Sequence, residues 1–319
     1  MYACSDNISG KNILVAGANG MAGRAIVHVL EAYDCNIIKA GRQDVNLRDA
    51  AGTAAFIQSA KADIVIMAAA KVGGIQANVS YPADFIYNNL SIVQNVIHGA
   101  YISGVTDLIF LGSSCIYPKL SEQPIKEKAL LSGPLEPTNE FYAIAKIAGV
   151  KLCEAYSRQY GVNYFSVMPT NLYGPYDNYH PVDSHVIPGL LRRFHAAKVE
   201  HSETVTCWGT GTPYREFLYV DDLAKGVVHL ANIRKQRQYN IYNIGASTEI
   251  AIKPLTQLIK TAVGYAGDVV FDASKPDGAP RKLMDSSRIL ETGWTPEIDL
   301  TTGLDLAYEW FLKNRAEPQ

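Results

Sequence analysis

The stretch from Asn12 to Leu30 reads NILVAGANGMAGRAIVHVL, and it decides the fold. An apolar run ends in glycines spaced G-x-x-G-x-x-G, and an amphipathic segment follows. Glycines at such a turn let the backbone approach a pyrophosphate closely at the positive N-terminus of the next helix. The stretch therefore predicts a strand, a phosphate-binding loop and a helix. The predicted loop consists of Gly17, Ala18, Asn19, Gly20, Met21, Ala22 and Gly23.

Further apolar runs without polar alternation follow through the first half of the chain. Such runs are typical of parallel strands that are buried on both faces. Amphipathic stretches separate them, and this strand–helix alternation predicts an α/β fold with a doubly wound parallel sheet. The predicted strands are Asn12–Ala16, Asn36–Ala40, Asp63–Ala69, Asp107–Gly112 and Asn163–Met168.

The pattern changes after Pro169. Residues 170–182 are rich in turn formers and aromatic residues, as is typical of a loop. Short strands are predicted at Thr204–Trp208 and Ile241–Ile244, and helices near Lys253–Tyr265 and Thr302–Lys313. We expect a dinucleotide-binding domain of residues 1–170 plus about 217–245, with 217–229 returning to the sheet. A smaller lobe is expected from about 171–216 plus 246–319.

The composition is ordinary for a globular protein: 319 residues, 48% hydrophobic, 19% charged, with a formal net charge of −2. This balance argues against nucleic acid or a membrane surface as the main partner. No zinc-ligand spacing is present, and no apolar run approaches the roughly 18 residues of a membrane span. We therefore expect a cytoplasmic protein without a metal. Its widely separated cysteines suit a reducing compartment: Cys4, Cys35, Cys115, Cys153 and Cys207.

The end of the second strand indicates the cofactor. Enzymes that use NAD usually carry Asp or Glu there for the ribose 2′-hydroxyl. Here the strand ends in Ala40-Gly41-Arg42, and Asp44 follows two residues later. A guanidinium suits a 2′-phosphate through a charge-assisted contact, so we predict NADP(H). The alternative is that Arg42 is a solvated turn residue.

Tyr142 and Lys146 form the only Tyr-x3-Lys pair in the chain. They lie one helical turn apart and project from the same face, in a helix that Thr138 or Asn139 is expected to cap. Ser113 follows the fourth strand, so it is predicted to lie beside this pair. Ser113 would bind a substrate carbonyl, while Lys146 lowers the pKa of Tyr142 for proton exchange.

Eight blocks of the sequence resemble the GDP-L-fucose synthases, in order and over almost the whole chain. They are AAKVGGI (69–75), PADFIY (82–87), GSSCIYPK (112–119), EPTNEFYAIAKIAG (136–149), MPTNLYGPYDN (168–178), SHVIPGLLRRFH (184–195), WGTGTPYREF (208–217) and FDASKPDGAPRKL (271–283). That family epimerises C3 and C5 of GDP-4-keto-6-deoxy-D-mannose and then reduces C4 with NADPH. The resemblance implies this activity, in GDP-fucose biosynthesis, for an extended short-chain dehydrogenase/reductase.

The resemblance also implies roles for individual residues. Cys115 and His185 would be the base and the acid of epimerisation, although position alone allows a buried hydrophobe and a packing group. Ser113 and Tyr142 would stabilise the oxyanion that develops from the ketone. The implied ligands of the GDP-sugar are Arg193, Trp208, Arg215 and Lys282.

The implied cofactor site extends beyond the phosphate loop. One departure from the family is Asn19, which stands where relatives carry arginine, so weaker affinity for NADPH is expected. The further predicted cofactor residues are Arg42, Gln43, Asp44, Val45, Asn46, Leu47, Leu111, Gly112, Ser113, Ser114, Tyr142, Lys146, Pro169, Thr170, Asn171, Leu172 and His185.

The segment Ala143–Val150 is apolar almost all round, as is typical of a helix that is buried on all sides. We therefore expect a homodimer in which this helix packs on its counterpart. Two other functions remain open at this point. A UDP-hexose 4-epimerase that recycles NAD is disfavoured by Arg42, Cys115 and His185. A non-catalytic dinucleotide sensor would not need Ser113, Tyr142 and Lys146 together.

Overall fold

The computed structural model describes residues 8–181, 183–275 and 277–314. Cys4, Val182 and Pro276, which belong to stretches discussed above, lie outside the described residues. The strands are β1 (Asn12–Ala16), β2 (Asn36–Ala40), β3 (Ile64–Met67), β4 (Asp107–Leu111), β5 (Asn163–Pro169), β6 (Asn171–Tyr173), β7 (Thr204–Trp208), β8 (Tyr214–Tyr219), β9 (Ile241–Ile244), β10 (Glu249–Ala251), β11 (Asp268–Asp272) and β12 (Arg281–Lys282).

The helices range from one turn to six turns in length. They are α1 (Met21–Leu30), α2 (Ala50–Ala60), α3 (Ile75–Ser80), α4 (Pro82–Ile102), α5 (Glu140–Tyr160), α6 (Val186–Val199), α7 (Val220–Asn232), α8 (Ile252–Val263), α9 (Ser287–Leu290) and α10 (Leu300–Asn314). Short 3₁₀ turns occur at Ser114–Ile116, Glu127–Ala129 and Pro137–Asn139. Within the described part of the chain, no helix is both long and apolar enough to cross a membrane.

The central sheet has six parallel strands in the order β2-β1-β3-β4-β5-β9. Alternate residues of each strand enter opposite cores. Ile13 and Val15 of β1 pack in the core that α1 and α7 cover, whereas Leu14 and Ala16 pack in the core under α4 and α5. Both faces are apolar because both are covered by helices. The predicted doubly wound α/β fold is confirmed.

The second half of the chain differs from the prediction in two places. Residues 170–182 were expected to be a loop, but they contain β6, which pairs with β8. Residues 217–229 were expected to return to the main sheet. Instead, Phe217–Tyr219 belong to β8 in a separate four-stranded sheet. Of this segment, only the part in α7 covers the main sheet, where it packs beside α1. A three-residue strand carries too little periodicity to be recognised without its partner.

A third hydrophobic core lies beyond the central sheet. It is built from residues of α6, α8 and α10, such as Leu191, Leu255 and Phe311, together with inward residues of β7 and β8. Strand β7 also pairs with β11, as a separate two-stranded sheet. The division into two domains that the sequence predicts remains a proposal.

Candidate active site

The phosphate loop is built for close backbone approach. Gly17 has φ +86°, and a Cβ there would lie 2.7 Å from the Cα of Ala69. A Cβ on Gly23 would overlap the carbonyl oxygen of Gly17. Helix α1 starts directly after Gly20 and has no acidic residue in its first turn. The loop therefore presents a positive helix end that suits a pyrophosphate, so the residues present fit a dinucleotide.

The end of β2 favours a 2′-phosphate over a 2′-hydroxyl. The Asp44 carboxylate accepts a hydrogen bond from the backbone N–H of Gly41 at 2.8 Å, so the acid fixes the turn itself. The Arg42 side chain is exposed beside it. Asn19 packs against Gly41, where a Cβ would overlap its amide nitrogen. The carbonyl oxygen of Asn19 accepts a hydrogen bond from Arg24 Nε at 3.0 Å.

Other predicted cofactor residues lie at the carboxyl ends of β4 and β5. Gly112 follows β4, and a Cβ there would overlap the Met168 side chain. Beyond β5, Thr170 Oγ1 and Asn171 Nδ2 both donate to the backbone carbonyl of Glu216, at 3.2 and 2.8 Å. The side chains of Thr170 and Asn171 therefore fix the strand end, at the sheet edge where ligands of this fold bind.

Lys146 is 2% exposed, and its Nζ donates to the carbonyl oxygen of Leu111 at 2.7 Å. The ammonium lies 5.8 Å from the centre of the Tyr142 ring. Burial lowers the pKa of Lys146 to about 8. The two residues are thus neighbours on one face of α5, as their spacing predicts.

The protonation of Tyr142 differs from the expectation. Burial raises the pKa of its phenol, the nearby Cys115 thiol acts in the same direction, and hydrogen bonding to Ser113 opposes them. The lysine ammonium is directed to a strand carbonyl instead of the phenol oxygen. A phenol with a raised pKa stays protonated at neutral pH, which suits a group that donates a proton.

The start of α5 also differs from the expected capped helix. A 3₁₀ turn at Pro137–Asn139 leads into it, and Asn139 occupies the N-cap position without a capping side-chain bond. Thr138 Oγ1 donates to the Glu136 carboxylate at 3.4 Å instead. Neither of the two expected side chains caps α5.

Cys115 lies in the turn that follows β4 and is 5% exposed. Its backbone N–H donates to Ser113 Oγ at 3.4 Å. Burial raises the pKa of the thiol, whereas the charges of Lys282 and Lys146 and a hydrogen bond with Ser113 lower it. The structure therefore brings the cysteine, the serine and both lysines into one electrostatically coupled group beside Tyr142.

His185 immediately precedes α6, and its carbonyl oxygen accepts the backbone N–H of Gly189 at 3.0 Å. The residue reaches solvent, yet burial by the surrounding protein lowers the pKa of its imidazole. The lowered pKa makes the imidazolium form of His185 a stronger acid.

Lys282 and Arg215 pair in register on the parallel strands β12 and β8. Burial lowers the pKa of Lys282, the Cys115 thiol raises it, and the charge of Arg215 lowers it further. Arg215 Nη2 donates to the carbonyl oxygen of Asp277 at 3.4 Å. Two adjacent half-buried cations of this kind suit a pyrophosphate.

Arg193 and Trp208 are both associated with β7: Arg193 binds its backbone, and Trp208 is its last residue. Arg193 Nη1 donates to the carbonyl oxygen of Thr206 at 2.8 Å. Thr206 and Trp208 are exposed alternate residues of that strand, and Trp208 remains 60% exposed. Thr210, two residues after Trp208, donates through its backbone N–H to the Asp277 carboxylate, and the carbonyl oxygen of Asp277 accepts a hydrogen bond from Arg215. The four predicted substrate ligands are therefore linked through β7, Asp277 and the pairing of β8 with β12.

Two residues near the site were missed in the sequence. Glu136 makes a 3.1 Å ion pair with Lys119. Burial lowers the pKa values of Lys282 and Arg215, and the charge of Glu136 partly offsets this. Phe85 is 2% exposed, and its ring lies edge-on to that of Tyr142 at 6.3 Å. Both lie in family-like blocks, but only the three-dimensional packing shows what they contact. No group of His, Cys, Asp and Glu in the described ranges could hold a metal ion.

Known proteins resemble this chain over nearly its full length. The family model described as "NAD dependent epimerase/dehydratase family" matches residues 13–245. The GDP-L-fucose synthase of Escherichia coli (strain K12) is 52% identical over 316 residues, covering 97% of this chain and 98% of that protein. The one from Sinorhizobium fredii is 51% identical over 310 residues, with 97% and 98% covered. A crystal structure of a GDP-L-fucose synthetase from Naegleria fowleri bound to NADP matches with a TM-score of 0.86 at 29% identity, covering 96% of this chain and 95% of that one.

Proposed function

We propose that this chain converts GDP-4-keto-6-deoxy-D-mannose to GDP-L-fucose. The chain belongs to the GDP-L-fucose synthases, within the NAD dependent epimerase/dehydratase family. It is an enzyme, and its cofactor is NADP(H). The observation that carries the proposal is the coupled group of Ser113, Cys115, Tyr142 and Lys146 at the carboxyl end of the central sheet. That group combines the parts needed for reduction with a thiol that reduction does not need.

In the reduction, NADPH supplies the hydride to C4 when it is bound. Ser113 donates a hydrogen bond to the ketone oxygen, and Tyr142 transfers its phenolic proton to that oxygen. The raised pKa of the phenol supports this direction of transfer, because the acid is protonated before the reaction. Lys146, with a pKa of about 8, lies close enough to stabilise the phenolate that remains.

Epimerisation uses the acidity that the C4 ketone gives to the hydrogens on C3 and C5. Cys115, as the thiolate, removes a proton from one face of the sugar, and His185, as the imidazolium, returns a proton to the opposite face. The electrons from the broken C–H bond form an enolate whose C4 oxyanion Ser113 and Tyr142 stabilise. Proton exchange with solvent then restores the thiolate and the imidazolium for the second carbon. Lys282 and Lys146 support the thiolate because their charges lower the pKa that burial raises.

The GDP part of the substrate is proposed to bind the lobe. Arg215 and Lys282 offer adjacent cations to the pyrophosphate, and Arg193 offers a third. Trp208 offers an exposed flat surface beside them. We also propose the division into an NADP-binding domain (1–170 plus about 217–245) and this GDP-sugar-binding lobe (about 171–216 plus 246–319), which would form the cleft between them.

We further propose a cytoplasmic homodimer. Helices α4 and α5 pack together and leave apolar side chains uncovered, including Tyr87 (70% exposed), Phe141 (43%) and Ile144 (38%). A second copy would cover this face. Light scattering at micromolar concentration tests the dimer, and a monomer would contradict it. The buried free thiols of Cys115, Cys153 and Cys207 support a reducing compartment.

Product identification tests the proposed activity. Protein, NADPH and GDP-4-keto-6-deoxy-D-mannose are incubated together, and the nucleotide sugar is identified by NMR. We expect GDP-L-fucose, with one NADPH consumed for each product molecule. Turnover without net consumption of cofactor would indicate a 4-epimerase and contradict the proposal.

A further inference from the structure

Gly73 and Gly74 form a turn between β3 and α3 that the mechanism above does not use. We propose that this turn is a spacer that holds His185 at its working distance from Tyr142, so that Gly74 is a positioning residue for epimerisation. The inference rests on the proposed function and assigns a further residue to it. Its evidence is the set of contacts on the two sides of the turn.

On one side, the turn touches the segment that ends in His185. The backbone N–H of Gly74 donates to the carbonyl oxygen of Asp183 at 2.9 Å. A Cβ on Gly74 would lie 2.6 Å from the carbonyl oxygen of Ser184, the residue before His185. Gly74 has φ −65°, a conformation that any residue can adopt, so the requirement for glycine there is one of space. A side chain at this position must displace backbone next to His185.

On the other side, the turn touches the residue that packs against Tyr142. A Cβ on Gly73 would lie 2.9 Å from the Cβ of Ala77 and 3.2 Å from Cζ of Phe85. The Phe85 ring in turn lies edge-on to Tyr142, at an interplanar angle of 83°. The turn therefore lies between Phe85, which packs against the proton donor Tyr142, and the segment that ends in His185, the acid of epimerisation.

The spacer is held rigidly from both ends. Asn78, which is 7% exposed, donates through Nδ2 to the carbonyl oxygens of Gly73 and Gly74, at 2.9 and 3.0 Å. The 183–185 segment is confined on its far side too, because a Cβ on Gly189 would lie 2.7 Å from Ser184 Oγ. A displacement at Ser184 therefore has little room to relax before it reaches His185.

This arrangement separates the two reactions of the enzyme. Epimerisation needs a proton from the face that His185 serves, whereas reduction needs Tyr142 and Ser113. A displaced His185 slows epimerisation while the ketone can still be reduced. The product then keeps the C3 and C5 configurations of the starting sugar, so the stereochemistry of the product reports on the position of His185.

Two variants test the spacer from different directions. Gly74→Ala adds an atom against Ser184, and Asn78→Ala removes the clamp on the turn without adding anything there. The first matched control is Asn88→Ala, at a half-buried position of α4 where the amide likewise donates to a backbone carbonyl, that of Asp84. The second is Gly99→Ala, where the nearest atom to the new Cβ is the flexible end of Ile57, at 3.3 Å. Each protein is assayed for deuterium wash-in at C3 and C5, for product stereochemistry and for NADPH binding.

We expect Gly74→Ala to slow wash-in by about 100-fold, the effect of a misplacement of about 1 Å. Asn78→Ala should slow it less, and in both variants the share of unepimerised reduced product should rise while NADPH binding stays within about twofold. Both controls should behave like the parent. A purely structural role would instead lower wash-in and reduction together, and that result overturns the spacer.

Normal wash-in and normal product stereochemistry in Gly74→Ala also overturn it. If Gly74→Ala does not fold, Asn78→Ala decides by the same readouts. Absence of wash-in and of GDP-L-fucose in the parent enzyme would be a failure of the proposed function itself, which is distinguishable because the parent is measured alongside.

Discussion

Asp177→Asn should change how the stability of this protein depends on pH. Asp177 lies in the segment between β6 and α6 that leads to His185, and it is 5% exposed. Its Oδ1 accepts the backbone N–H of Asn178 at 2.7 Å, but Oδ2 is buried without a hydrogen-bond partner among the described residues. Burial raises its pKa from 3.8 to about 7, and the bond from Asn178 opposes this.

The sign follows from the order of the two pKa values. Below pH 3.8 the carboxyl group is protonated in both the unfolded and the folded protein, so it has no pH-dependent effect. Between pH 3.8 and about 7 the folded protein retains a proton that the unfolded chain has lost, so the free energy of unfolding falls as pH rises. The difference between the two values corresponds to about 4 kcal/mol at pH 7.5. Asparagine has no such titration.

Urea unfolding at a series of pH values from 4.5 to 8 measures this effect. The buried amide of the variant adds a cost of about 1–3 kcal/mol that is constant with pH, so the slope is diagnostic and the offset is not. Relative to the parent, Asp177→Asn should gain stability steadily up to pH 7 and then level off. Asp305→Asn, at an exposed position of α10, is the matched control. Parallel curves for Asp177→Asn and the parent would refute the assignment of a buried, proton-retaining carboxyl group.

Three substitutions in the site have defined outcomes. Arg42→Ala should raise the KM for NADPH by about 10-fold or more, because a charge-assisted phosphate contact is lost, and should leave the KM for NADH unchanged. Equal changes in the KM values for NADPH and NADH, or the same change in the control Arg48→Ala, would show that Arg42 does not determine cofactor choice. Cys115→Ser should abolish deuterium wash-in at C3 and C5 while NADPH still binds, because a hydroxyl is too weak an acid to supply the base; normal wash-in would exclude the thiol. Gly23→Ala should abolish NADPH binding in calorimetry, since its Cβ overlaps the Gly17 carbonyl, and unchanged affinity would show that the loop does not hold the pyrophosphate.

Much of the fold could be predicted because its central strands are buried on both faces. Asn12–Ala16 and Asn36–Ala40 were predicted to the residue, since an apolar run bounded by polar or turn residues marks such a strand directly. Strand β6 was missed because only its pairing with β8 makes three residues extended. The start of α5 was mispredicted because Thr138 binds Glu136 within a 3₁₀ turn instead of capping the helix.

The candidate site was predictable to the extent that its chemistry lies in residue types. Tyr142, Lys146 and Ser113 were brought together by the order of the strands and by helical spacing. Their protonation was not predictable, because the pKa of Tyr142 depends on burial and on where the Lys146 ammonium is directed. The contact between Gly74 and Ser184 joins residues 110 positions apart through space and leaves no local pattern in the sequence.

The central claim is that the Tyr142 phenol meets the sugar ketone beside the nicotinamide. A crystal structure of the protein with NADP and GDP-L-fucose tests it most directly. We predict the phenol oxygen within about 2.6–3.2 Å of the C4 oxygen, with C4 facing the nicotinamide and the Cys115 and His185 side chains on opposite faces of the ring. A phenol turned away from the nicotinamide, with no room for a hexose between them, would contradict the account.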